Sequence, residues 1–181
     1  MTDPAVDDWY TPHAAPEFVE SGKASPASDV YAAGMTLAHL LTGGAICKAV
    51  PKGSDFLTAC ADGTWPDLTL LGPNVPTRLR RVIKDATEYG ETKRPATARE
   101  LKRRIDNATP STSFVADGTT DWKSTDGKLA IRTTQHRKGL SVNVFRNGRR
   151  VAKHEMTGLS DKETDKRVAK LLNALSYDRE P

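Results

Sequence analysis

Residues 15–34 read Ala15-Pro16-Glu17-Phe18-Val19-Glu20-Ser21-Gly22-Lys23-Ala24-Ser25-Pro26-Ala27-Ser28-Asp29-Val30-Tyr31-Ala32-Ala33-Gly34. This stretch decides the fold of the first half of the chain, because it leads into a largely apolar run from Val30 to Leu41. Ala27-Ser28-Asp29 offers side-chain oxygens that can cap a helix start, and Gly43-Gly44 can end the helix. A helix that is apolar on every side must be buried on every side, so the run predicts a central helix.

The spacing inside this stretch is as informative as its letters. Glu17 lies 12 residues before Asp29, and Asp29 lies 5 residues before Gly34. Together they resemble the end of the activation segment and the start of the central helix in the C-lobe of bacterial-type (Hanks-type) Ser/Thr protein kinases. Residues 61–79 and Thr92 to Leu101, with an Arg-Pro pair at Arg94, resemble later parts of the same lobe in the same order. The resemblance covers residues 9–106.

The resemblance implies structural roles for the matching positions. Glu17 would form a buried ion pair with Arg94, tying the activation segment to the lower part of the lobe. Asp29 would point from the start of the central helix towards the catalytic loop, and Gly34 would permit close packing. The residues assigned to this structural kinase motif are Ala15, Pro16, Glu17, Asp29, Gly34 and Arg94.

The catalytic parts of the family are absent from the match. The phosphate-binding lysine, the catalytic aspartate and asparagine, and the metal-binding aspartate all precede the Ala-Pro-Glu motif in a kinase. The preceding 14 residues, which we predict to be loop, are too few to supply them, and Trp9-Tyr10 stand where the family favours Gly-Thr. We therefore predict no catalytic residue, no phosphotransfer from this chain alone, and no cofactor; ATP and Mg²⁺ are expected only if a missing N-lobe completes the fold.

Packing of the central helix gives a second expectation. In the family a helix that precedes the catalytic loop covers part of it, and this sequence has no match to that helix. One flank of Val30–Leu41 should then be uncovered, and an exposed apolar patch usually marks an interface. We expect a protein partner, a second copy of the chain or the C-terminal module to cover it.

The rest of the chain predicts an α+β protein. Further helices are expected near 54–61, around Leu79–Ala86 and over Thr97–Asp106, which completes a mostly helical partial C-lobe at 1–106. Residues 107–120 are small, polar and turn-rich and are assigned as a linker. Residues 121–181 predict a β-β-β-α module, a three-stranded antiparallel sheet with one C-terminal helix. Its strands surround Ile131, Val142 and Val151, and Asn147-Gly148 forms its hairpin.

The two parts of the chain differ in net charge. Residues 1–118 carry 13 basic and 15 acidic side chains, whereas residues 119–181 carry 14 and 8. If the apolar strand positions face the helix, the other face carries Arg132, Asn143, Phe145, Arg150 and His154. The module resembles the small three-stranded DNA-binding domains of some phage-type integrases, which implies nucleic-acid contacts. The candidate contact residues are Arg132, Phe145, Arg149, Arg150 and Lys153. The alternative is an ordinary polar outer face, on which Lys and Arg deter edge-to-edge pairing.

Cysteines and histidines predict no metal site. Cys47 and Cys60 show no metal-type spacing, and the four histidines are scattered as His13, His39, His136 and His154. The absence of a secretory leader and of a membrane-length apolar run predicts a cytoplasmic protein without membrane contact.

Three hypotheses for the function follow. The first is a non-catalytic kinase-like C-lobe fragment that acts as an interaction or regulatory module. The second is the C-terminal portion of an active Ser/Thr kinase, separated from its N-lobe and catalytic loop. The third is a nucleic-acid-binding adaptor that uses the basic C-terminal domain.

Overall fold

The computed structural model describes residues 11–118 and 120–178. Among them the chain separates into two units, which we call the helical unit (residues 11–72 and 77–109) and the sheet unit (residues 73–76 and 110–178). The architecture is α+β, as predicted. Trp9, Tyr10 and most of the predicted N-terminal loop lie outside the described residues. Thr11–His13, at the end of that loop, forms a 3₁₀ turn instead.

Six α-helices build the helical unit. They are α1 (Pro16–Ser21), α2 (Pro26–Leu41), α3 (Ala45–Lys48), α4 (Asp55–Ala61), α5 (Thr77–Ala86) and α6 (Ala98–Ala108). The helix predicted around Leu79–Ala86 is α5, and it buries one stripe made of Leu79, Val82, Ile83 and Ala86. Thr97 caps α6 by accepting a hydrogen bond from the Glu100 amide, because a threonine oxygen can satisfy a first-turn N–H.

The central helix α2 starts earlier than the sequence predicts. Pro26 occupies its first turn, and Ser25 and Ser28 form a reciprocal capping box. One face of α2 is buried through Val30, Tyr31 and Met35. Burial on every side does not hold, since Leu40 is 72% exposed. The expectation that one flank of this helix is uncovered holds within the described residues. The buried residues Val30, Tyr31, Gly34, Met35 and Ala38 form one stripe along α2.

The sheet unit has more strands than the three predicted. They are β1 (Phe114–Ala116), β2 (Trp122–Ser124), β3 (Leu129–His136), β4 (Gly139–Arg146), β5 (Arg149–Arg150) and β6 (Met156–Leu159), followed by α7 (Asp161–Leu175). All pairings are antiparallel, in the order β1-β2-β3-β4, and β5 and β6 both pair with β4. β1 lies inside the stretch predicted to be linker, and Val151 lies just after β5 rather than on it.

One apolar core joins this sheet to α7. Ile131, Val142 and Val144 pack with Leu171 and Leu172, and all five are at most 1% exposed. The β4–β5 turn has Asn147 at φ 50° and Gly148 at φ 76°, as a two-residue hairpin turn of type I′ requires. The hairpin and the C-terminal helix therefore form as predicted. Within the described residues, no helix is both long enough and apolar enough to cross a membrane.

Candidate functional site

Glu17 and Arg94 form the ion pair that the kinase resemblance implies. Arg94 Nη1 lies 2.7 Å from Glu17 Oε1, and Nη2 lies 2.8 Å from Oε2, so the contact is bidentate. Arg94 Nε also donates to the Glu88 carbonyl at 2.6 Å, and Nη2 and Nη1 donate to the carbonyls of Tyr89 and Ala27. The Arg94 side chain is 0% exposed and that of Glu17 is 16% exposed. These five bonds use every N–H of the guanidinium, which is the condition for burying such a charge.

The same contacts set the protonation of Glu17. Burial opposes the charged form of this carboxyl, but hydrogen bonds from Arg94, the backbone and Ser28, together with the Arg94 charge, outweigh it and lower the pKa of Glu17. Ser28 Oγ donates to Glu17 Oε1 at 3.0 Å. The start of α1, the start of α2 and the loop before α6 are thereby joined at one ionised pair.

The other motif residues take places that agree with packing roles. Ala15 is 3% exposed, and its carbonyl accepts the first amide bonds of α1. A Cβ added to Gly34 would lie 2.8 Å from Ala86 Cβ, so this glycine permits α2 to approach α5 closely. Asp29 lines a small groove with His13, Phe18 and other residues. Among residues 11–118 and 120–178 it forms no ion pair.

One flank of α2 is open. Ala33, Thr36 and Leu40 are exposed and Leu37 is partly exposed. None of these residues carries a charge. We call Ala33, Thr36, Leu37 and Leu40 the open flank.

The structure also brings together three side chains that the sequence left scattered. His13 comes from the 3₁₀ turn, His39 from the last turn of α2 and Cys47 from α3. His13 Nε2 lies 3.4 Å from His39 Nδ1 and 3.8 Å from Cys47 Sγ, and Cys47 Sγ lies 3.0 Å from His39 Nδ1. We call these residues the His–Cys cluster, and all three are partly buried. Burial, and then the neighbouring His39, lower the pKa of His13.

Sequence reasoning missed this cluster for a clear reason. His39 and Cys47 are separated by the break between α2 and α3, and His13 lies 26 residues before His39. Short metal motifs are recognised by fixed local spacing, which is absent here. The one usable signal was the pairing of a histidine at a helix end with a cysteine just beyond the Gly43-Gly44 turn.

On the sheet unit, three of the five predicted nucleic-acid residues share one face. Arg132 pairs with Asn143 in the register, and Phe145 pairs with Arg150. The Arg132 guanidinium lies 5.1 Å from the centre of the Phe145 ring. Arg150 is ion-paired with Glu155. Arg149 pairs with Arg146 and is one position out of phase with this face. Lys153 lies in a 3₁₀ turn.

This face is concave instead of being a plain outer surface. A groove of about 720 Å³ crosses it. Asn143 is only 9% exposed, which contradicts its predicted place on a solvent-exposed outer face, and Ser141 is 1% exposed. Arg137, Lys138, Glu155 and Thr157 also line the groove. His136 Nε2 contacts Ser141 Oγ at 2.8 Å.

Comparison with known proteins adds no identification. No protein-family model matches the chain, and a search of curated proteins finds no match either.

Proposed function

We propose that this chain is a non-catalytic, kinase-like C-lobe portion that works as an interaction module. The buried Glu17–Arg94 pair carries the proposal. It joins residues 77 positions apart, at the two places where the kinase resemblance requires a carboxylate and a guanidinium. Gly34 supports it too, since its contact with α5 leaves no room for a Cβ.

The sequence shows no match to the motifs with which the kinase family carries out phosphoryl transfer. Positioning a nucleotide requires a cationic phosphate site and carboxylates that hold Mg²⁺. In the 181 residues we find no match to the family's Gly-rich loop, its catalytic loop or its metal-binding aspartate. The parts that do match are scaffold positions, so a binding role fits the residues better than a catalytic one.

The open flank supplies the contact surface of the proposed module, and we assign a second copy of the chain to it. Because Ala33, Thr36, Leu37 and Leu40 are uncharged, two copies can meet there without like-charge repulsion. Leu40 presents an apolar side chain that is 72% exposed, and Ala33 is small enough to allow close approach of two helices.

Two measurements test the proposal. Calorimetric titration with Mg-ATP should show no binding in the micromolar range, and micromolar affinity would contradict the non-catalytic part. Sedimentation velocity should show dimers that Leu40→Glu converts to monomers. Val115→Glu, which changes a 50% exposed apolar residue on β1, is the matched control and should leave the dimers intact. A wild-type chain that stays monomeric at high concentration contradicts the assigned surface.

The alternative of a kinase portion separated from its catalytic lobe makes a different prediction. Adding a polypeptide with the family's N-lobe and catalytic loop would then restore phosphate incorporation. A mixture that remains inactive while the two polypeptides bind each other favours the non-catalytic module.

A second candidate function, nucleic-acid binding, rests on the sheet unit. The groove face combines the Arg132–Phe145 stack with Arg137, Lys138 and Arg150, in a part of the chain with excess positive charge. Stacked aromatic and guanidinium groups are typical of surfaces that contact bases and phosphates. Glu155 offsets part of this charge by pairing with Arg150.

A further inference from the structure

We propose that His13, His39 and Cys47 form a mononuclear zinc site. The proposal is independent of the kinase-like role, because it depends on three side chains that no kinase motif includes. It also does not depend on the open flank or on the sheet unit.

The distances among the three ligand atoms carry the proposal. Their separations of 3.4, 3.8 and 3.0 Å define a triangle whose centre is about 2.0 Å from each atom. Zn–N bonds measure about 2.0–2.1 Å and Zn–S bonds about 2.3 Å. An ion slightly out of this plane therefore reaches two imidazoles and one sulfur at bonding distance, with a fourth tetrahedral position left over.

The donor types select the metal. Imidazole nitrogen and thiolate sulfur suit zinc, whereas Mg²⁺ and Ca²⁺ require oxygen ligands. All three residues are partly buried and partly exposed, so the fourth position can be taken by water. Binding converts the Cys47 thiol into a thiolate and releases its proton to solvent.

The location of the cluster indicates what the ion would do. His13 stands two residues before Ala15 at the start of the Ala-Pro-Glu motif, while His39 and Cys47 lie on either side of the break after α2. One ion would join the 3₁₀ turn, the end of α2 and α3. Zinc binding is then expected to stabilise the helical unit and to slow amide exchange in the 3₁₀ turn and α3.

A metal-free arrangement of the same atoms is the competing explanation. The 3.0 Å separation of Cys47 Sγ and His39 Nδ1 also fits a thiol–imidazole hydrogen bond. Such a pair needs neither the third ligand nor an ion. The two explanations differ in the importance of His13, which only the metal site requires.

Zinc competition with a chromophoric chelator and Co²⁺ absorption spectroscopy on the full chain test the proposal. The wild-type chain should take up one equivalent of Zn²⁺ and, with Co²⁺, show a thiolate-to-metal charge-transfer band and tetrahedral d–d bands. Cys47→Ser should abolish the charge-transfer band, and His13→Asn should weaken Zn²⁺ affinity at least tenfold. Cys60→Ala and His136→Asn are the matched controls and should bind as the wild type does.

Several results would overturn the zinc site. Absence of stoichiometric Zn²⁺ uptake by the folded wild-type chain would do so, as would a Co²⁺ thiolate band that survives Cys47→Ser. Unchanged affinity in His13→Asn would leave only the Cys47–His39 pair and would also reject the site. Circular dichroism of each variant separates loss of a ligand from loss of the fold.

Discussion

At the scale of single residues, the Arg94 guanidinium is a buried charge that depends on its hydrogen-bond and ion-pair partners. It is fully buried, and its charge is balanced by one carboxylate. Arg94 also lies 4.9 Å above the Tyr31 ring, so it contacts the core of α2 directly. A charge held this way stabilises the fold only while its partner is present, because the uncompensated ion would remain in a dry site.

Removal of the Glu17 carboxylate is therefore expected to be costly. Glu17→Ala should lower the free energy of unfolding by about 3–5 kcal/mol, the usual cost of breaking a buried pair from one side. Urea denaturation followed by circular dichroism measures the change. Asp106→Ala is the matched control, since it breaks an exposed pair with Lys102 whose side chains are 75% and 58% exposed. That variant should lose less than about 1 kcal/mol, and an equally small loss in Glu17→Ala would contradict the structural role of the pair.

The lowered pKa of Glu17 predicts a pH dependence with a definite sign. The ionised carboxylate contributes stability in full above the pKa of the unfolded chain, and this contribution is lost as pH falls through the lower, folded-state pKa. Glu17→Gln cannot titrate. The stability difference between wild type and Glu17→Gln should thus be constant above about pH 5 and shrink below it. Denaturation midpoints at a series of pH values measure it, and parallel curves down to the acid limit would reject the assignment.

At the scale of elements, α2 and α5 approach closely because position 34 is a glycine, which has no side chain. Gly34 lies opposite Ala86, and an added Cβ would also come within 3.0 Å of Thr87 Cγ2. Ala86 is 0% exposed on a helix, so it cannot turn aside. The two helices have to separate if position 34 gains a methyl group.

Gly34→Ala should destabilise the chain although alanine favours helices. The helical gain is about 1 kcal/mol, and forcing extra volume into a packed contact costs about 1–3 kcal/mol. Thermal denaturation measures the net change in stability that results from the helical gain and the packing cost. Thr58→Ala, at an exposed site on α4, should be neutral or slightly stabilising. Ala86→Gly in combination with Gly34→Ala should recover part of the loss, and an additive double mutant would show that the two residues do not meet.

The length of each helix and strand determined how well the sequence could predict it. Eight-residue strands such as β3 and β4, and the 15-residue helix α7, are long enough for apolar periodicity to be read. β1 and β2 have three residues each, and β6 is exposed along most of its length. Short or exposed strands have no usable period, because they are fixed by pairing to a longer neighbour.

The candidate sites also differ in how far the sequence could predict them. Glu17 and Arg94 were predictable because each stands in a recognisable local motif. The His–Cys cluster was not, since its members come from three separate elements and converge only after α2 and α3 pack. The groove was missed because part of its lining, Thr157 and Gly158, comes from β6, a strand that the sequence did not predict.

At the scale of the whole molecule, charge separates the two units, and this asymmetry permits a decisive test of nucleic-acid binding. If the groove face contacts several phosphates, retention of a labelled duplex should fall steeply between low and moderate salt, because each neutralised phosphate releases a counterion. Replacing Arg132, Arg137 and Arg150 by alanine together should weaken binding and flatten the salt dependence. The matched control is alanine at Arg78, Arg81 and Arg103 in the helical unit, which removes the same charge. Equal losses in both triple variants would show non-specific attraction, and unchanged binding in the first would leave the basic face as the solvated side of a sheet.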